Sequence, residues 1–178
     1  IGEINKTTGR EFNFRIDALG WEDAVPAIGS DAQSVINEQF LKGDIQIFIG
    51  IMWTRFGAPT PRAGSGTEEE FDLAYTKYVN GTPIKIRMYF NNKSVNVQDA
   101  DIDQLAKVKS FREKVGGLGL LYSEYDGVAD FEKQVRSHLN SNVMSYLSSE
   151  PDVLDNLDSK KSKQLKMLAH QDSVEKIL

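Results

Sequence analysis

Residues 55–70 gather the groups in this chain that could do chemistry. Arg55 and Arg62 supply two guanidinium groups, Gly57, Gly64 and Gly66 supply bends, and Glu68, Glu69 and Glu70 set three carboxyls in a row. A pair of arginines can grip a diphosphate bidentately; equally, both could be solvated, or one could pair with Glu68 or Asp44. Ser65 and Thr67 could hydrogen-bond a ribose or a phosphate, or cap the helix that follows. Trp53 and Phe56 could stack on a base or plug the core at a strand end. Thr67-x-x-Glu70 is also a capping box, in which Glu70 would only satisfy a helix N-terminus.

The flanking elements say where this loop must sit. Residues 44–52 form a nearly continuous apolar run, Ile45, Ile47, Phe48, Ile49, Ile51 and Met52, as in a strand covered on both faces. From Thr67, the positions Phe71, Ala74, Tyr75 and Tyr78 recur at helical spacing. A long irregular loop between a strand and the start of a helix is where open α/β sheets place their ligands. Trp21 reads as a packing residue or part of the same rim. Asp44 opens its strand, at the far end from that rim, and is left out of the site.

The same periodicities predict strands near residues 12–19, 44–52, 84–90 and 118–122. They predict helices near 30–42, 67–79, 100–115 and 128–147, the first opened by Ser30-Asp31-Ala32-Gln33 as a capping box and the third stopped by Gly116-Gly117. Strand and helix alternate, which implies a parallel sheet with helices on both faces. Residues 1–149 read as one α/β domain. Residues 150–178 turn to Asp, Ser and Lys, and Leu154, Leu157, Leu165 and Leu168 could stripe a helical linker to a further module.

Composition removes several classes of function. The chain of 178 residues has a net charge of -5, no cysteine and His138 and His170 as its two histidines. Disulfides, thiol catalysis and cysteine zinc sites are excluded, and a histidine-rich metal site is not expected; His138, on an apolar helical face, reads as a core residue. A basic nucleic-acid footprint is absent. No apolar run is long enough to span a membrane, and no signal peptide is visible, so the expected location is the cytoplasm. Opening at Ile1 rather than Met, the chain reads as part of something longer.

The block Asp44-Ile45-Gln46-Ile47-Phe48-Ile49-Gly50-Ile51-Met52-Trp53-Thr54-Arg55-Phe56-Gly57, followed by Gly64-Ser65-Gly66-Thr67-Glu68-Glu69-Glu70-Phe71, resembles a domain of unknown function. That domain is found at the N-terminus of bacterial STAND-type NTPases and of eukaryotic NACHT and WD-repeat proteins. Trp21, Pro26, Gln33 and Asn37 fit its pattern, and the resemblance spans roughly residues 1–125. The domain is similar to TIR domains and to nucleoside 2-deoxyribosyltransferases. The resemblance implies a flavodoxin-like, TIR-like sheet. Its first strand, the central one, with a Ser/Thr-rich loop, would be missing from this chain.

The resemblance also implies a reaction. Related domains cleave or transfer at an N-glycosidic bond, often that of NAD, through an oxocarbenium-like state that a fixed carboxylate stabilises. Gly66-Thr67-Glu68-Glu69-Glu70 lays onto the Gly-Thr-x-x-Glu of deoxyribosyltransferases with its acid at Glu70. Glu70 is therefore the expected catalytic residue and Glu69 the second choice. Arg55, Phe56, Arg62, Ser65, Thr67 and Trp53 are the expected binding residues. No metal or cofactor is required, and NAD or a related dinucleotide is the expected substrate. The resemblance further implies an effector domain of a signalling or antiviral defence protein, active as a homo-oligomer beside the parent's other domains. The rival expectation is a non-catalytic interaction module.

Overall fold

Ile47–Met52 forms β1, the apolar strand that the sequence marks most clearly. The computed structural model describes residues 1–20, 32–43 and 45–149. β2 (Lys85–Asn91) and β3 (Ser123–Tyr125) complete a sheet in the order β1-β2-β3. All its pairings are parallel, with Ile47 opposite Lys85 and Met52 opposite Phe90. Two short helices, α1 (Gly2–Lys6) and α2 (Thr8–Glu11), open the chain, and α3 (Ala32–Lys42) precedes β1. α4 (Gly66–Val79) crosses from β1 to β2, α5 (Ile102–Gly117) from β2 to β3, and α6 (Gly127–Ser149) follows β3. The fold is α/β with a parallel sheet flanked by helices, consistent with a flavodoxin-like arrangement.

One face of the sheet carries the main core. Phe48, Met52, Met88 and Phe90 pack with Phe71 and Ala74 of α4 and Val108, Phe111 and Val115 of α5. Phe71 meets Phe111 edge-on at 5.3 Å. Gly50 leaves room within this layer for the Met88 thioether, which a Cβ there would push aside. On the opposite face Tyr89 stands edge-on to Phe131 of α6 at 5.3 Å, and Tyr125 meets the same ring at 4.9 Å.

The chain divides into two compact units. One takes in Ile1–Ala18 and the described residues from Val135; the other is Leu19–Gln134 and holds the sheet and the whole candidate site.

The strand expected at residues 12–19 does not form. The chain runs through α1 and α2 to Glu11, and residues 14–20 have no regular structure. Asn13 takes a left-handed conformation (φ 54) that breaks the extended run. Ile16 then bonds to a side chain rather than to a strand. Its N–H donates to Asn5 Oδ1 and its carbonyl accepts from Asn5 Nδ2, each at 2.8 Å. β1 therefore ends the sheet order, with no partner on its far edge among the described residues.

β3 is also displaced, to 123–125 from the expected 118–122. Gly116-Gly117 do not stop α5, which includes both. The chain turns only at Gly119, with φ 76, and that delays the strand. Trp21, Asp44, the Ser30-Asp31 start of the predicted capping box, His170 and the segment after residue 149 lie outside the described residues. Among the described residues no helix is long and apolar enough to cross a membrane, and no cluster of acids and histidines could hold a metal ion.

Candidate functional site

The loop after β1 is pinned at both ends. At its start Gln104 of α5 accepts from the Phe56 and Gly57 amides at 2.8 and 3.0 Å. Gly57 (φ 107) is a position where only glycine sits without strain. In the middle Thr60 and Ala63 close a turn, Thr60 N–H to Ala63 carbonyl at 3.0 Å and Ala63 N–H to the Thr60 hydroxyl at 2.9 Å. That turn carries Arg62 over α4.

At the loop's end the helix begins one residue earlier than the sequence suggests, at Gly66. Ser65, only 1% exposed, is the N-cap and accepts from the Glu68 N–H at 3.1 Å. Glu68 returns its carboxylate to the Gly64 N–H at 2.9 Å. The capping pair is thus Ser65 and Glu68, not Thr67 and Glu70. Thr67 lies inside the first turn. Glu70 is released from the duty that was its alternative explanation.

The two remaining acids point to different surroundings. Glu69 is 5% exposed. Its Oε1 accepts from Arg62 Nε and Asn37 Nδ2, while Oε2 is buried with no hydrogen-bond partner among the described residues. Burial pushes this carboxyl up, but Thr60, Arg62 and Asn37 outweigh it and hold it below its ordinary value. Glu70 is half-buried and accepts from Gln33 Nε2 at 3.0 Å. Burial raises its carboxyl above the ordinary value, the Gln33 bond opposes this, and the charge of Glu69 adds to the rise. The two neighbouring carboxyls thus differ in their affinity for protons.

The other expected binding residues divide. Arg62 joins the carboxyl pair. Arg55 is exposed at the loop's start and bonds to no described residue. Trp53 is 43% exposed and donates its indole N–H to the Lys93 carbonyl at 3.1 Å, which ties the loop after β1 to the loop after β2. Phe56 is only 7% exposed, with its ring in the core 5.7 Å from Phe111. It packs inward, and Gln104 holds its backbone amide. Lys114 of α5 bridges Glu68 at 3.0 Å and Asp72 at 2.8 Å, which anchors the outer face of α4.

Residue-level reasoning did not single out Gln33 and Asn37 as site residues. They sit one helical turn apart on α3 and bond to each other at 3.1 Å, Gln33 Nε2 to Asn37 Oδ1. Their i, i+4 spacing was a signal, since it sets both amides on one face. What they face is a tertiary fact.

The family described as "Domain of unknown function (DUF4062)" matches residues 10–140, and the chain belongs to it. Neither a curated protein nor a solved structure matches the chain.

Proposed function

We propose, with membership of this uncharacterised family as the premise, that the chain is a TIR-like effector domain that cleaves the N-glycosidic bond of NAD or a related nucleotide. The observation that carries this reading is Glu70: a half-buried carboxyl at a helix start, beyond the carboxyl end of β1, with no part in capping. In the reaction the C1′–N bond breaks and its electron pair goes to the pyridinium nitrogen, so nicotinamide leaves neutral. Positive charge develops on the ribose, and the Glu70 carboxylate faces it. Water adds its oxygen to C1′ and gives up a proton. A carboxylate whose affinity for protons is raised is the better acceptor for it. Glu69, locked to Arg62 and Asn37, keeps the local field negative. Arg55, exposed and unengaged among the described residues, would grip the diphosphate. The STAND-type parent, the cytoplasmic location, the role in defence signalling and the need for a homo-oligomer belong to the same proposal.

The test is nicotinamide release from NAD by the assembled full-length protein. Glu70→Gln should lower turnover by at least ~10²-fold, the scale of a lost electrostatic group. Unchanged turnover would remove Glu70 from the reaction and leave Glu69 to be tested. No cleavage by the assembled wild type, with several dinucleotides tried, would leave the second reading, an interaction module. That reading is favoured by Ile102, 61% exposed, and Val128, 81% exposed, at the starts of α5 and α6.

A further inference from the structure

The four side chains between α3 and α4 have donor directions that charge alone decides. Glu69 is held ionised, so its Oε1 can only accept, and Asn37 must turn Nδ2 toward it. Asn37 Oδ1 then faces Gln33, which must answer with Nε2, at 3.1 Å. The same Nε2 reaches Glu70 Oε1 at 3.0 Å. An amide nitrogen has two hydrogens, and both are now engaged. Gln33 Oε1 is left above Gly66, 2.5 Å from where a Cβ would stand. The amide cannot turn over to accept from a protonated Glu70 without setting oxygen against Asn37 Oδ1.

We propose that Asn37 and Gln33 form a relay through which ionised Glu69 fixes Glu70 as a hydrogen-bond acceptor, which makes both amides positioning residues for the Glu70 carboxylate. The part this plays in glycosidic cleavage rests on the reading of Glu70 given above; the relay itself does not. Among the described groups acting on Glu70, burial and the neighbouring charge of Glu69 favour its neutral form, and the Gln33 bond alone favours its charge. α3 brings it only the uncharged Gln33. Arg62, from the loop, meets Glu69, and Lys114, from α5, meets Glu68 and Asp72. Glu69 therefore acts on Glu70 in two opposed ways, by repulsion through space and by donor alignment through two amides. Gly66 is the notch that lets Gln33 lie there.

The two routes predict opposite signs for Asn37→Leu. If only charge mattered, losing the Asn37 bond would make Glu69 easier to protonate and weaken its repulsion, so Glu70 would titrate at the same or a lower pH. With the relay, Gln33 is freed to turn over and accept from protonated Glu70, so Glu70 titrates at a higher pH. Carbon-13 NMR of the Glu70 side-chain carboxyl, in the full chain without substrate, reads this directly. Gly66→Ala, which displaces Gln33, should move Glu70 the same way but tests the direct bond alone; Asn37→Ala, a smaller change at the same place, decides the relay if Asn37→Leu does not fold. A Glu70 midpoint that stays put or falls in the folded variants overturns the relay. Because no turnover is measured, an inactive protein leaves the result intact. A Glu70 carboxyl that moves while the cleavage pH profile does not would keep the relay and remove Glu70 from the reaction.

Discussion

Glu69 and Glu70 are neighbours in α4, yet their carboxyls are driven to opposite sides of the ordinary value: Glu69 down by Thr60, Arg62 and Asn37 against burial, Glu70 up by burial with the added charge of Glu69. The difference comes from helix geometry. A step of one residue turns a side chain by about 100°, enough to send Glu69 into the turn that carries Arg62 and Glu70 toward Gln33.

Stability should therefore respond to the two acids with opposite signs. Glu69, with its folded value lowered, contributes stability that is full above its unfolded value, near 4.5, and is lost as pH falls through the folded value. Glu70, with its folded value raised, binds protons more tightly when folded, so its ionisation costs stability as pH rises past 4.5. At neutral pH, Glu69→Gln should lower stability by about 1–3 kcal/mol, because Arg62 loses its counter-charge. Glu70→Gln should leave the melting temperature unchanged or raise it. Thermal melts at pH 7 compare the two; a lower Tm for Glu70→Gln would contradict the assignment.

The position of the helix cap makes a second prediction. Ser65→Ala should destabilise by about 1 kcal/mol, the worth of an N-cap. Thr67→Ala, inside the first turn, should stay within roughly 0.5 kcal/mol of wild type. Urea unfolding of both variants checks it, and equal losses would return the cap to Thr67.

Gln104 links α5 to the first residues of the loop, so its loss should be felt in the loop and not in the core. Gln104→Ala frees the amides of Phe56 and Gly57. Hydrogen exchange should quicken at those residues while β2 stays protected. Equal exchange in variant and wild type would mean that Gly57 and the Phe56 ring hold the loop without help.

Gly50→Ala should destabilise by about 1–3 kcal/mol, the cost of overpacking a filled layer. The new Cβ meets Met88 in the neighbouring strand. Pairing it with Met88→Ala should recover part of the loss, as measured by denaturant midpoints in a double-mutant cycle.

The sheet was legible where sequence pattern and tertiary environment agree. Ile47–Met52 and Lys85–Asn91 are covered by helices, and their apolar character follows from that. α4 was legible from Phe71, Ala74, Tyr75 and Tyr78, whose spacing matches the stripe it buries. The segment 12–19 failed because alternation states which side chains could share a face, not whether the backbone finds a strand to pair with. β3 moved because two glycines at a helix end are permitted within the helix when its last turn has its bonds. At the site, the acids and Arg62 were legible as a cluster. The assignment of Glu68 rather than Glu70 to the cap was not, since both spacings satisfy the same rule and the choice depends on whether Ser65 or Thr67 turns out of the helix. For Phe56 the sequence left rim and core open, since a ring at a strand end can go either way, and the ring lies in the core against Phe111.

Asn5 has a consequence for association between molecules. An alternating stretch such as Phe12-Asn13-Phe14-Arg15-Ile16 is the kind of sequence that recruits copies of itself when its backbone is bare. Here one carboxamide occupies both the donor and the acceptor of Ile16, at the end of that alternation. Phe14 N–H is likewise engaged, by the Gly9 carbonyl at 2.9 Å. The Phe14 N–H and both backbone polar groups of Ile16 are thereby taken by α2 and α1 and are not open to strand pairing. Asn5 acts as a gatekeeper set not beside the vulnerable segment but folded back onto it.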